Sequence, residues 1–119
     1  MAYEKAFWQA LRRLINECPP IIDRPKGSHH PHYPEMIYPL DYGYLPGTES
    51  MDGGGIDVWI GSDKSQTIAG ICCTIDLLKK DAEIKILLGC DEKDILAITD
   101  FHNDQSMRAV FVRCPEEFR

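Results

Sequence analysis

Residues 38–57 set the strongest constraint on how this chain can fold. An aromatic, turn-rich run (Tyr38, Pro39, Tyr42, Gly43, Tyr44) leads into Asp52 and then into Gly53, Gly54 and Gly55. Three consecutive glycines allow backbone angles and close approaches that a Cβ resists. Beyond them Ile56, Val58 and Ile60 alternate with Asp57 and Trp59, the period of a β-strand. The loop therefore delivers a second carboxylate, Asp57, at the start of a strand. Two aspartates five residues apart across such a loop can converge on one ion or one phosphate.

The rest of the chain supplies a frame for that loop. Residues 2–17 place Phe7, Trp8, Leu11, Leu14 and Ile15 at helical spacing, and Pro19-Pro20 stops the run. This predicts an amphipathic helix that covers a barrel or makes a subunit contact. Ile21, Ile22 and Asp23 form a short strand, and residues 24–28 turn the chain. Residues 67–76 and 81–88 are strands joined by the short link Leu77-Leu78-Lys79-Lys80. In the second of these, Glu83 and Lys85 alternate with Ala82, Ile84 and Ile86, the pattern of a half-buried strand. Asp91 is placed to cap a helix reaching about His102, with Ile95, Leu96, Ile98 and Phe101 on its apolar side. Residues 108–113 alternate as a last strand, Met107, Ala109 and Phe111 on one face and Val110 and Val112 on the other.

At 119 residues the chain is expected to form one domain, 1–119: a helix over 1–18, a core over 21–88, and a helix and final strand over 91–119. The formal charge of −6 argues against nucleic acid, which demands clustered Lys and Arg, and favours divalent cations. No apolar run approaches the roughly 20 residues that span a bilayer, and no basic-then-apolar leader opens the chain. A cytoplasmic protein without a membrane partner is expected. Five cysteines, an odd number without C-x-x-C spacing, read as reduced thiols and not as a disulfide frame. Adjacent Cys72 and Cys73 in mid-strand face opposite sides.

Two further groups invite chemistry. His29, His30 and His32 lie within four residues and could hold a transition metal, but they lack helical i, i+4 placement and a nearby fourth ligand. A solvated loop, with one or two residues facing the acidic site, is the stronger reading. Asp76 and Asp81 bracket the hairpin turn and should stand side by side. Like charges opposed in a sheet destabilise it, and a bound cation or a raised pKa is the usual relief.

The order Tyr38-Pro39-x-x-Tyr42-Gly43-Tyr44, Gly47-Thr48, Asp52-Gly53-x-x-Ile56-Asp57 resembles the active-site segment of the soluble, magnesium-dependent inorganic pyrophosphatases of family I. Gly70-x5-Asp76-x4-Asp81-Ala82 is similar to that family's second metal-binding segment, with its spacing kept. Pro25-Lys26-Gly27-Ser28 is similar to the P-K-G-S that opens an earlier strand. The middle aspartate of the family's acidic triplet is Gly54 here, its lysine after the D-A pair is Glu83, and its C-terminal Tyr-Lys pair has no counterpart. The resemblance covers residues 21–88.

The resemblance implies a mainly β fold with flanking helices (α+β), a small, partly open or closed five-stranded barrel of OB type. It implies Mg2+, or another divalent cation, held by Asp52, Asp57, Asp76 and Asp81. It implies Asp57 and Tyr42 as catalytic groups, and Arg24, Lys26, His32 and Tyr42 as contacts for pyrophosphate or a related small phosphate compound. The activity implied is hydrolysis of pyrophosphate to two phosphates by a metal-activated water, slowed by the loss of the carboxylate at position 54. The competing reading is a non-catalytic module that holds phosphate or a nucleotide with a metal on the same barrel. A nucleic-acid binder stacking bases on Tyr38, Tyr42, Tyr44 and Trp59 is disfavoured by charge. The apolar helix stripe and the Leu77-Leu78 hairpin tip point to a homo-oligomer.

Overall fold

The computed structural model describes residues 3–119, so Ala2, at the start of the expected first helix, lies outside the described residues. The elements are α1 (Glu4–Glu17), β1 (Ile21–Arg24), β2 (Asp41–Leu45), β3 (Ile56–Ile60), β4 (Ile68–Asp76), β5 (Asp81–Leu88), α2 (Glu92–Phe101) and β6 (Met107–Arg113), with a 3-10 turn at Glu116–Phe118. They build one sheet in the order β1-β2-β3-β5-β4-β6. All neighbours are antiparallel except β3 and β5, which run parallel. Strands β1, β3, β4 and β5 fall where they were expected, and the run read as turn-rich supplies a further strand, β2, so that residues 21–88 hold five. The hydrogen bonding does not close on itself, and β6 extends the sheet as a sixth strand.

Each face of the sheet has its own apolar cluster. Trp8, Leu11 and Ile15 of α1, spaced three and four apart, pack on Leu45, Val58, Ile71, Ile86 and Leu88. Phe7, assigned to the same stripe, is instead 47% exposed. It lies one position off the buried line and meets Trp8 edge-on at 5.0 Å. Arg12 pins the helix by donating to the Gln66 carbonyl at 3.0 Å. On the other face Ile95 and Ile98 of α2 cover Trp59, Cys72 and Leu87. Leu96, expected on that apolar side, points to solvent because the helix turns it away from the sheet. Cys72 and Cys73 join opposite clusters, as alternation requires.

Local chemistry explains where α2 starts. The Asp94 N–H donates to Asp91 Oδ1 at 2.9 Å, and the Asp91 N–H donates to Asp94 Oδ2 at 3.1 Å, a reciprocal capping box. The same Asp94 oxygen accepts from the Ser62 hydroxyl at 3.1 Å, fastening the end of β3 to the helix. At the other end of α2, His102 accepts the Trp59 indole N–H on Nε2 at 3.0 Å inside the core. Burial pushes His102 down to about 3, so it stays neutral and can accept.

Gly43 shows why the Tyr-Gly-Tyr run needs its glycine. A Cβ there would stand 1.8 Å from the Ile21 carbonyl oxygen, inside the β1–β2 pairing. The loop before β3 uses its glycines as expected: Gly53 and Gly55 hold φ of 77° and 92°. At the β4–β5 tip Leu77 and Leu78 are 71% and 73% exposed. Among the described residues no helix is long and apolar enough to cross a membrane.

Candidate functional site

The sheet face under α2 changes character along its length. Near the helix it is apolar, and beyond Tyr38 and Tyr42 it turns charged, with Asp57 on β3, Asp76 on β4, and Asp81, Glu83 and Lys85 on β5. Alternation puts Asp81, Glu83 and Lys85 on the same side as buried Leu87. This reverses the ordinary reading of β5. Glu83 and Lys85 turn inward, and Ala82 and Ile84 are left exposed. The inward charges are stable because they find one another across the strands.

Lys85 is the centre of that arrangement. Its side chain is 7% exposed, and Nζ lies 2.7 Å from Asp57 Oδ2 on the neighbouring parallel strand, where the two residues are register partners. The same ammonium donates to Tyr42 Oη at 3.2 Å and stands 4.0 Å from Glu83 Oε1. Burial, with the nearby Asp57 charge, lifts the Tyr42 phenol well above its ordinary range. Tyr42 therefore keeps its proton and remains a donor. Burial also raises the Glu83 carboxyl; Lys85 opposes that rise, and the charges of Asp52, Asp57 and Asp81 add to it.

Arg24 reaches this face through a β-bulge. In β1, Ile22 pairs with Gly43 but Arg24 pairs with Tyr42, so Asp23 is the extra residue. The bulge turns the guanidinium over the Tyr38 and Tyr42 rings, 5.5 and 5.9 Å from their centroids, and Nη1 donates to Tyr38 Oη.

The remaining carboxylates are held by their own loops. Asp52 Oδ1 accepts from the Ser50 hydroxyl at 2.6 Å and the Gly54 N–H at 2.9 Å, and these bonds lower its pKa. Asp76 and Asp81 are register partners, as expected. The raised pKa expected of such a pair is not found at Asp76. Asp76 Oδ1 accepts from the Ser106 hydroxyl at 2.7 Å and from the N–H groups of Leu78 and Lys79 at 2.9 and 3.1 Å. Its pKa is lowered, chiefly by Ser106, because three donors stabilise the anion.

The structure thus brings Arg24, Tyr42 and Asp57 into one group, with Asp52, Asp76 and Asp81 around its acidic end. Lys26 and His32 lie on exposed turns. The Lys26 N–H donates to Asp41 Oδ1 at 2.8 Å, and the His32 N–H donates to His30 Nδ1 at 3.1 Å. Of the three loop histidines it is His30 that approaches the group, its ring stacked on Tyr38 with centroids 6.1 Å apart. Among the described residues no three His, Cys, Asp or Glu side chains stand together ready to cage a metal. Lys85 was missed by sequence reasoning. Its one signal was a lysine two residues after Glu83 on an alternating strand, which reads first as a solvent face.

The donor set suits a hard cation nonetheless. Magnesium keeps several waters and is usually held by one or two carboxylates together with substrate phosphates, so no preformed cage is needed. The specific sign in this chain is Glu83 Oε2, buried and without a hydrogen-bond partner among the described residues.

No protein-family model matches the sequence, and no curated protein does. Solved structures do. The chain is similar to an inorganic pyrophosphatase from Coxiella burnetii, with a TM-score of 0.54 and 16% identity over 79% of this chain and 82% of that one. It is also similar to the inorganic pyrophosphatase of Helicobacter pylori, with a TM-score of 0.55 and 14% identity over 82% of this chain and 84% of that one. At such identity the likeness is one of fold, and it meets the expectation raised by residues 38–57 and 70–82: the chain is folded as these inorganic pyrophosphatases are.

Proposed function

We propose that this protein hydrolyses inorganic pyrophosphate with the help of a divalent cation, magnesium first. The observation that supports this most is the junction of Lys85, Asp57, Tyr42 and Arg24 on one sheet face, bordered by Asp52, Asp76 and Asp81, in a fold shared with two pyrophosphatases. Asp52, Asp57, Asp76 and Asp81 are the residues that would hold the cation. When bound, it supplies charge neutralisation and Lewis acidity at phosphate oxygens.

The chain's own groups divide the remaining work. Arg24 presents a planar fork suited to bidentate phosphate binding, with Lys26 and His32 as outer contacts for the substrate. Lys85 is a compact ammonium that can pass from Asp57 to an incoming phosphate oxygen. Tyr42, kept protonated by burial, donates a hydrogen bond to the leaving phosphate. Asp57, once Lys85 moves to phosphate, accepts a proton from the attacking water. Phosphoryl transfer needs little beyond such positioning and positive charge.

Gly54 sets the expected rate. General-base catalysis supplies roughly 10²- to 10⁴-fold, and with no carboxylate at position 54 that work falls to Asp57, which must first part from Lys85, so turnover is slow. The test is phosphate release from pyrophosphate by pure protein, with magnesium and with excess chelator. Release that requires the cation supports the hydrolase; cation-dependent pyrophosphate binding without release would instead establish the non-catalytic module.

A further inference from the structure

Glu83 occupies an unusual position for an acidic strand residue. Its side chain is 10% exposed, Oε1 lies 4.0 Å from the Lys85 ammonium, and Oε2 is buried without a partner among the described residues. The parallel register pairs Asp57 with Lys85. Carried back two residues on both strands, it sets Glu83 beside Gly55, at the root of the acidic glycine loop. Asp52, Asp57 and Asp81 are close enough for their charges to act on Glu83. Asp57 and Glu83 thus share Lys85, whose ammonium is already committed to Asp57 and Tyr42. A buried carboxylate oxygen with no donor is an arrangement that a small cation completes.

We propose that Glu83 is a direct ligand of a divalent cation bound between β5 and the start of β3, with Asp57, the other carboxylate beside Lys85, as its companion. Glu83 thereby supplies, from the neighbouring strand, the carboxylate that Gly54 cannot. The inference rests on the hydrolase reading for its biological meaning, but the cation site stands or falls without turnover. Gly54 makes the substitution testable in both directions. A Cβ at that position would meet the Asp52 carboxylate at 3.3 Å, a flexible neighbour that can yield, so an aspartate can be installed there.

The probe is Mn2+ alone, followed by electron paramagnetic resonance on the full chain without pyrophosphate, with Mg2+ added as competitor. The parent should show a saturable site that Mg2+ empties. Glu83→Gln should weaken Mn2+ about tenfold or more, the scale set by losing even an outer partner of a bound metal. Its melting temperature without metal should be unchanged or higher, because a buried uncompensated oxygen has been replaced by an amide. Glu83→Asp, which keeps the charge and shortens the reach, should weaken binding by a smaller factor. Gly54→Asp in the Glu83→Gln background should regain the affinity. Equal Mn2+ affinity in parent and Glu83→Gln, or a parent without a saturable site, would overturn the proposal. The hydrolase reading fails separately: Glu83-dependent Mn2+ binding without phosphate release leaves the cation site intact, and phosphate release with Glu83-independent binding removes the site and keeps the hydrolase.

Discussion

Lys85 Nζ lies 2.7 Å from Asp57 Oδ2, across the parallel pair β3–β5, with the two side chains 7% and 17% exposed. This pair is the hinge between fold and chemistry. In the resting protein each charge satisfies the other, and in the proposed reaction Lys85 leaves Asp57 for phosphate. Removing one partner of a buried pair leaves the other uncompensated, which typically costs about 3–5 kcal/mol. Lys85→Met should therefore destabilise the protein by about that amount. Asp57→Asn with Lys85→Met should cost clearly less than the two single changes summed, as read by denaturant melts in a double-mutant cycle. Additive costs would mean that the two residues do not depend on each other.

What the sequence made legible follows from its periods. Strand alternation placed Cys72 and Cys73 on opposite faces, and the Asp91 cap located the start of α2 to the residue. The Asp76–Asp81 pairing followed from the length of the hairpin link. Lys85 and Glu83 were not legible, because alternation says that two faces exist but not which one is inside. On β5 the charged face is inside, and the decision is made by Asp57 and Tyr42 on strands distant in sequence. The reach of Arg24 was hidden for a similar reason, since a one-residue bulge at Asp23 decides where it points. The donors that hold Asp76 include Ser106, thirty residues away.

His102 makes the core sensitive to acid. Its folded pKa is depressed to about 3, while an unfolded histidine titrates near ~6.5, so the unfolded chain binds the extra proton between those values. Stability from this residue is complete above about pH 6.5 and is lost as pH falls, by about 2 kcal/mol at pH 5. Chemical denaturation at pH 7 and pH 5 should show this loss in the parent. His102→Gln, which can still accept from the Trp59 indole, should lose correspondingly less over the same interval. Identical pH slopes would show that His102 is not the group responsible.

Gly43 tests the packing of β1 on β2. Its Cβ position lies 1.8 Å from the Ile21 carbonyl oxygen, and backbone cannot yield as a side chain does. Overpacking costs about 1–3 kcal/mol and more where backbone must move. Gly43→Ala should therefore lose at least about 3 kcal/mol and loosen β1, carrying Arg24 away from Tyr38 and Tyr42. Hydrogen exchange at Ile22 and Arg24 reads the loosening directly. Unchanged protection in a stable variant would contradict the close approach.

The central claim is pyrophosphate hydrolysis at the Asp57 end of the sheet, and phosphate release from magnesium pyrophosphate by the parent beside Asp57→Asn and Asp81→Asn tests it most directly. The parent should turn over slowly, with both variants reduced by at least about 10²-fold while remaining folded. A parent that releases no phosphate, or variants that release it at the parent rate, would show that this face is not the seat of that chemistry.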